Sequence, residues 1–274
     1  EAAILGIGNG LALGGYYPFV EFMFGDFLAL AADQWINHAA KFNHMYNNEV
    51  KVPVVVRAPM GGHRGYGPTH SQSLEKHFVG VPGTQVFCLN HRFLPYVFYK
   101  NLADTIDRPS LVIENKVLYS KYITSELLPG YELLESDDLF PTINLKPRFQ
   151  ADYTVIAIGG VSLEVEDAIR NLFEKDEIII DLFMPTRIYP FDISVLSESI
   201  KNTKKLIIIE EGQGFCSIGS EIIAQVIKKY YKINIFCERI FADEIAIPAS
   251  KPLEDQSIPT SNSIIEKIRE LNEF

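Results

Sequence analysis

The sequence has few cysteines and no long apolar run, and each shortage excludes a class of protein. Its three cysteines, Cys88, Cys216 and Cys237, are widely spaced and match no metal-ligand spacing. Their odd number argues against a disulfide framework and favours a reducing compartment. No apolar run approaches the roughly 20 residues of a membrane span, and no signal peptide is visible. We therefore expect a cytoplasmic protein without a membrane-spanning segment.

Basic residues are outnumbered, with 25 Lys and Arg against 35 Asp and Glu and a formal net charge of -10. A chain this acidic is a poor candidate for binding nucleic acid or an anionic membrane. The nucleophile elbow Gly-x-Ser-x-Gly is absent, as are the His-x-x-x-His and Cys-x-x-Cys spacings of transition-metal sites. We expect no metal site built by this chain alone.

Apolar residues are abundant, and their order along the chain predicts an α/β protein. In the second half, apolar runs alternate with helical segments, a pattern typical of a parallel sheet covered on both faces. The first half shows the same alternation less clearly. The predicted strands are residues 52–56, 85–88, 110–114, 153–158, 177–182, 205–209 and 233–237. The predicted helices are residues 27–42, 193–200 and 218–230, together with one that Ser162 caps and that has apolar residues near Val165, Ile169, Leu172 and Phe173.

The 274 residues suggest two domains, each with a mostly parallel sheet. We predict a first domain at residues 1–126 and a second at 151–274. Residues 127–150 contain three prolines and are interpreted as the linker. Residues 1–15 read as a turn and a helix already inside a domain, so we expect the start of the first domain to be missing.

A glycine-rich stretch, residues 61–69, is interpreted as a functional loop because it suits neither helix nor strand. His70 follows it and is either an acid, base or transition-state donor, or a loop histidine bonded to backbone. His63 and Arg64 are either a cationic pair for a carboxylate or phosphate, or ordinary exposed loop residues. Glycines at residues 6–10 lack the preceding strand and the spacing of a dinucleotide fingerprint, and fit a close-packed helix face better.

Several fragments, in order and at close spacing, together resemble one family over nearly the whole chain. That family is the β subunits of thiamine-diphosphate-dependent pyruvate and branched-chain 2-oxo acid dehydrogenases, which are transketolase-like. The fragments are Pro18-Phe19-Val20-Glu21-Phe22, Phe24-Gly25-Asp26-Phe27, Pro53-Val54-Val55-Val56-Arg57-Ala58-Pro59, His70-Ser71-Gln72-Ser73, Glu114-Asn115-Lys116, Ile180-Asp181-Leu182, Glu210-Glu211-Gly212 and Leu253-Glu254-Asp255.

The resemblance implies an N-terminally truncated pyrimidine-binding domain followed by a transketolase-type C-terminal domain. It also implies an α subunit that completes an α₂β₂ heterotetramer, a homodimer of β subunits, and a lipoyl acyltransferase as a further partner. Thiamine diphosphate would then lie across a subunit interface, with its magnesium held by the α subunit. The Gly-Asp-Gly pattern that binds magnesium and diphosphate is absent from this sequence, in agreement with that division.

Three residues match functional positions of the family. Glu1 matches the glutamate that hydrogen-bonds the pyrimidine ring and activates the cofactor. Phe27 matches the aromatic residue that packs on the pyrimidine, and His70 matches the histidine near the substrate carboxylate and the incoming lipoyl group. The implied reaction is oxidative decarboxylation of a 2-oxo acid with acyl transfer to lipoyl, and His63 and Arg64 are candidates for substrate binding.

The sequence also departs from the family pattern. Gly80 stands where members often have a histidine, and residues 89–92 replace a usual Pro-Ser segment. These departures leave the substrate open, together with a monovalent-cation site that some members carry. One alternative is two-carbon transfer of the transketolase or deoxyxylulose-phosphate-synthase type, in which His63 and Arg64 bind a sugar phosphate. The other is a non-catalytic subunit.

Overall fold

Across residues 1–273, which the computed structural model describes, eleven strands form two mostly parallel sheets. This confirms the predicted α/β class with two mostly parallel sheets. The strands are β1 Phe19–Glu21, β2 Val55–Met60, β3 Gln85–Cys88, β4 Ser110–Asn115, β5 Tyr131–Glu135, β6 Thr142–Pro147, β7 Tyr153–Ala157, β8 Ile180–Pro185, β9 Arg187–Tyr189, β10 Lys205–Gln213 and β11 Phe236–Ala242. The α-helices are α1 Ala2–Leu13, α2 Ala40–Met45, α3 Pro95–Thr105, α4 Ser162–Asp176, α5 Ser197–Thr203, α6 Ile218–Lys229, α7 Lys251–Ser257 and α8 Ser261–Asn272.

The first sheet has the strand order β1-β2-β4-β3-β9. Its pairings β1–β2, β2–β4 and β4–β3 are parallel, and β9 pairs antiparallel with β3. The central strand β4 is buried at every position, including its polar residues Ser110, Glu114 and Asn115, and its apolar centre is typical of a buried parallel strand. The edge strand β9 comes from the second half of the chain, so the two halves are joined by main-chain hydrogen bonds.

The second sheet has the order β11-β10-β7-β8-β6-β5. Three pairings are parallel, and β6 and β5 add to it as an antiparallel hairpin. Both hairpin strands lie within residues 127–150, which the prolines had indicated to be a linker. Pro147 closes β6 opposite Tyr131 and is compatible with an extended chain. The domain boundaries themselves stay a prediction.

Helical structure over residues 27–42 comes in pieces rather than as one helix. A 3-10 helix at Gly25–Ala31 is followed by a π-helix at Gln34–Ala39 and then by α2. The core-facing side chains, among them Leu28, Ala31 and Trp35, are fully buried. Among the described residues, none of the helices combines the length and the apolar character needed to cross a membrane.

A buried ion cluster joins the first sheet's loops to helix α4. Glu166 accepts hydrogen bonds from His91 Nε2 at 2.8 Å and from Arg92 Nε at 2.8 Å. Arg92 also donates to the carbonyl oxygens of Thr124 and Glu126. Burial by itself would raise the pKa of Glu166, but the hydrogen bonds and charges of His91 and Arg92 outweigh it and lower the pKa to about 2.

Substituting Glu166→Gln should therefore destabilise the protein in a pH-dependent way. The folded-state pKa lies below the ordinary 4.5, so the carboxylate's contribution is complete above that value and is lost as the pH falls towards 2. We expect a loss of about 3 kcal/mol in the free energy of unfolding at neutral pH, shrinking in acid. Denaturant titrations at several pH values measure it, with Glu174→Gln on the exposed face of α4 as control. Equal losses at every pH would contradict the assignment.

Candidate active site

The candidate site lies where strands β2 and β4 end. In parallel sheets the carboxyl ends of the strands meet at one edge, which is where ligands of α/β proteins bind. Three segments gather there: the 3-10 helix Gly25–Ala31, the glycine loop 61–69 that follows β2, and the 3-10 helix Lys116–Ser120 that follows β4. Two of the predicted site residues belong to these segments: Phe27 lies in the first 3-10 helix, and His70 directly follows the glycine loop.

The glycine loop is held by carboxylates from the second half of the chain. Glu211 Oε1 accepts from the Gly62 amide at 2.6 Å and from Ser73 Oγ at 3.2 Å, while its Oε2 accepts from Asn115 Nδ2 at 2.9 Å. Glu254 Oε2 accepts from the Gly65 amide at 2.8 Å. These long-range bonds explain how a stretch without regular structure keeps one conformation.

One glycine in the loop is required by both its backbone and its surroundings. Gly61 has φ +98, a conformation that L side chains rarely adopt, and a Cβ there would lie 2.9 Å from Glu211 Oε1 and closer still to Asn115. A side chain at this position would displace the carboxylate that holds the next amide.

Aromatic rings from these segments form a continuous cluster. The ring of His70 lies 5.4 Å from that of Phe27 and 4.6 Å from that of Phe24, both edge-on. Tyr66 reaches the same cluster, 6.0 Å from Phe24. His70 is half-buried, and Thr69 Oγ1 lies 2.9 Å from its Nδ1. The structure thus brings together two of the predicted site residues, and it adds Phe24 and Tyr66, which the pattern did not single out.

Lys116 was quoted within a family fragment but was not predicted as a site residue. Its ammonium nitrogen lies 2.9 Å from the centre of the Phe24 ring and 5.5 Å from that of Tyr66. Burial lowers the pKa of Lys116 to about 8; the charge of Asp26 opposes this shift and that of Arg64 adds to it. The available signal was a lysine directly after a strand that ends in two buried polar residues, Glu114 and Asn115.

His63 and Arg64 are adjacent in sequence but bond to different partners. His63 Nδ1 lies 3.3 Å from Asp255 Oδ1. The backbone of His63 has a φ of +63, in the left-handed region. Arg64 is exposed and donates from Nη1 to the carbonyl oxygen of Lys116 at 3.1 Å. Their predicted role in binding substrate stays a prediction.

Glu1 precedes α1 as its N-terminal capping residue, is half-buried, and makes no capping hydrogen bond with its side chain. Helix α1 packs against the 3-10 helix that carries Phe27. A free carboxylate and a half-buried aromatic face are the two features that an aminopyrimidine requires, so the residues fit that part of thiamine diphosphate. Within residues 1–273, no group of three or more His, Cys, Asp or Glu side chains is placed to hold a metal ion.

Beneath the glycine loop, three carboxylates are buried close together: Glu75, Glu210 and Glu211. Burial raises the pKa of Glu75 to about 7, and the charges of Glu210 and Glu211 add to the shift. Glu75 and Glu211 also line a cavity of about 20 Å³ together with Ser73 and Cys88. The Glu75 carboxyl group therefore changes its protonation near neutral pH.

Comparison with known proteins places this geometry in a family. Residues 1–121 match the pyrimidine binding domain of transketolase, and residues 144–264 match the transketolase C-terminal domain. The pyruvate dehydrogenase E1 component subunit beta of Rickettsia bellii is 27% identical over 99% of this chain and 81% of that protein.

Two further similarities point the same way. The acetoin:2,6-dichlorophenolindophenol oxidoreductase subunit beta of Bacillus subtilis is 30% identical over 99% of this chain and 77% of that protein. Among solved structures, this chain superposes on a split-gene transketolase, described as an inactive tetramer of four beta subunits, with a TM-score of 0.72. The two chains are 18% identical, and the superposition covers 98% of this chain and 81% of that one. At that identity the superposition shows the fold alone.

The buried carboxylates predict an unusual response to Glu75→Gln. Because the folded-state pKa of Glu75 lies above the ordinary 4.5, the native protein loses stability as the pH rises from that value to about 7. The amide of the variant cannot ionise. The free energy of unfolding of Glu75→Gln, relative to that of the unsubstituted protein, should therefore rise by about 3 kcal/mol as the pH is raised from about 4 to about 8. Denaturant unfolding at both pH values measures this. Glu221→Gln, on the exposed face of α6, should give no such difference, and a pH-independent effect at Glu75 would refute the assignment.

Proposed function

This chain belongs to the family of transketolase-like β subunits that includes those of pyruvate dehydrogenase, and we propose that it serves a thiamine-diphosphate-dependent 2-oxo acid dehydrogenase as its β subunit. The reaction would be oxidative decarboxylation of a 2-oxo acid followed by acyl transfer to lipoyl. The observation that carries the proposal is the pairing of Phe27 with His70, 5.4 Å apart, at the carboxyl ends of the first sheet. When bound, thiamine diphosphate supplies a nucleophilic carbon and an electron sink.

Each proposed residue has a chemical task that its surroundings support. The Glu1 carboxylate, which makes no capping bond to α1, would accept a hydrogen bond from the pyrimidine and hold a proton there. Phe27 would support the flat ring from below and exclude water. His70, with Thr69 on Nδ1, keeps its other ring nitrogen for hydrogen bonding to a substrate or transferring a proton.

We propose that activity requires an α subunit, which would hold the magnesium and the diphosphate. One surface of the chain supports an assembly: α1 carries exposed apolar side chains at helical spacing, Ile4, Ile7 and Leu11, with exposed fractions of 43%, 66% and 44%. Tyr16 and Tyr17 extend this surface. A homodimer of β subunits within an α₂β₂ tetramer would cover it, and a lipoyl acyltransferase would accept the acyl group.

Two-carbon transfer to a sugar phosphate has less support. That activity would use His63 and Arg64 for the phosphate, yet His63 lies against Asp255 and Arg64 donates to the Lys116 carbonyl. Assays of the assembled protein with sugar phosphates would separate the two reactions.

The test is co-expression with the α subunit, followed by two separate readouts on purified α₂β₂ protein. One is exchange of the cofactor's thiazolium proton, and the other is decarboxylation of a panel of 2-oxo acids. Glu1→Gln should slow proton exchange by about 10²–10⁴-fold, since an amide cannot replace the carboxylate. His70→Ala should leave exchange nearly intact and slow product formation by a similar factor.

His44 provides the matched control, because it is exposed and is not part of the ring cluster of Phe24, Phe27, Tyr66 and His70. His44→Ala should leave both rates unchanged. Thiazolium exchange at the normal rate in Glu1→Gln would remove the chemical basis of the proposal. Failure of the assembled protein to decarboxylate any 2-oxo acid would also overturn it.

A further inference from the structure

Lys116 is a buried cation in the aromatic cluster that the proposed mechanism does not use. The residue is 8% exposed, and its ammonium nitrogen lies over the ring of Phe24. Phe24 in turn contacts Phe27 and His70, with ring centres 5.8 Å and 4.6 Å away. The ammonium therefore belongs to the same ring cluster as the two proposed site residues.

The ammonium group has no ionic partner in contact. None of the ion pairs formed within residues 1–273 includes Lys116. Asp26, the carboxylate whose charge acts on Lys116, accepts from Gln72 Nε2 at 2.8 Å through Oδ1, and its Oδ2 is buried without a hydrogen-bond partner among the described residues. Arg64 brings a second positive charge to the same place, since its guanidinium donates to the Lys116 carbonyl.

A buried cation of this kind costs free energy unless an anion pairs with it. The aromatic faces of Phe24 and Tyr66 offset only part of that cost, because a cation over a ring gains about 0.5–2 kcal/mol. Lys116 and Arg64 place two positive charges against the carboxylate of Asp26, so the cluster suits an anion. The 2-oxo acid brings a carboxylate, and that group must come close to His70 if His70 serves the reaction.

We propose that Lys116 is a specificity-determining residue that binds the carboxylate of the 2-oxo acid at the edge of the ring cluster formed by Phe24, Phe27 and His70. The inference rests on the proposed function. Within that function, Lys116 would select acidic over neutral substrates. The ion pair is made with the intact substrate and is lost as the carboxylate leaves as carbon dioxide. Lys116 therefore contributes to substrate binding rather than to the chemical step.

Steady-state kinetics of the assembled α₂β₂ enzyme with pyruvate test this inference. Lys116→Gln removes the charge, Lys116→Arg retains it, and Lys121→Gln removes an exposed charge five residues away. Losing one charge-assisted bond should raise KM roughly 10–100-fold, with kcat changed by less than about threefold. Lys116→Arg should recover most of the loss, and Lys121→Gln should match the unsubstituted enzyme.

A structural role for Lys116 would give a different result. If it only balanced Asp26, Lys116→Gln would lower the melting temperature and leave KM for pyruvate unchanged, and that outcome overturns the inference. If the assembled enzyme turned over no 2-oxo acid, the proposed function would fail, and lysine-detected NMR of the chain would decide the inference. Pyruvate should then raise the pKa of Lys116, whereas neutral acetoin should not. A pKa that about 50 mM pyruvate leaves unmoved overturns it.

Discussion

The carboxylate of Glu211 is the contact on which the candidate site depends. It accepts hydrogen bonds from three segments of the first half: the Gly62 amide in the glycine loop, Ser73 beyond that loop, and Asn115 at the end of β4. Each of these buried donors needs an acceptor, because a buried amide or hydroxyl without a hydrogen-bond partner costs free energy. One side chain from β10 thus fixes where the loop begins, where His70 follows, and where Lys116 leaves the first sheet.

The candidate site holds its carboxylates and its cations in different contacts. Glu211 and Glu254 accept hydrogen bonds from amides of the glycine loop. Lys116 is also buried, and its ammonium nitrogen rests on the ring of Phe24. The carboxylates thus hold the loop in place. Under the proposed function, the ammonium group is the one available to an acidic substrate.

The sequence predicted the centre of the fold better than its edges. Central strands such as β4 and β10 each contain a short apolar run, Leu-Val-Ile in β4 and Leu-Ile-Ile-Ile in β10, which is typical of a buried parallel strand. The hairpin of β5 and β6 was interpreted as a linker because its prolines concealed it, and β9 is too short to signal its partner. The resemblance pointed to Phe27 and His70. Its fragments included Glu211 and Glu254, but it could not indicate that these side chains bind the glycine loop, because the bonded residues are 149 and 189 positions apart. Nor could it indicate the isolation of Lys116, which depends on its neighbours in space.

Hydrogen exchange at the Gly62 amide tests most directly whether the second half holds the site together. The account predicts that this amide is strongly protected in the unsubstituted protein, because its acceptor is a buried carboxylate. In Glu211→Gln, which loses one charged oxygen acceptor, exchange at Gly62 should be faster by roughly 10–100-fold. Amides at the centre of β7 should exchange as before, and the exposed variant Glu221→Gln should change neither. Unchanged protection of Gly62 in Glu211→Gln would contradict the account, since the loop would then keep its conformation without the carboxylate.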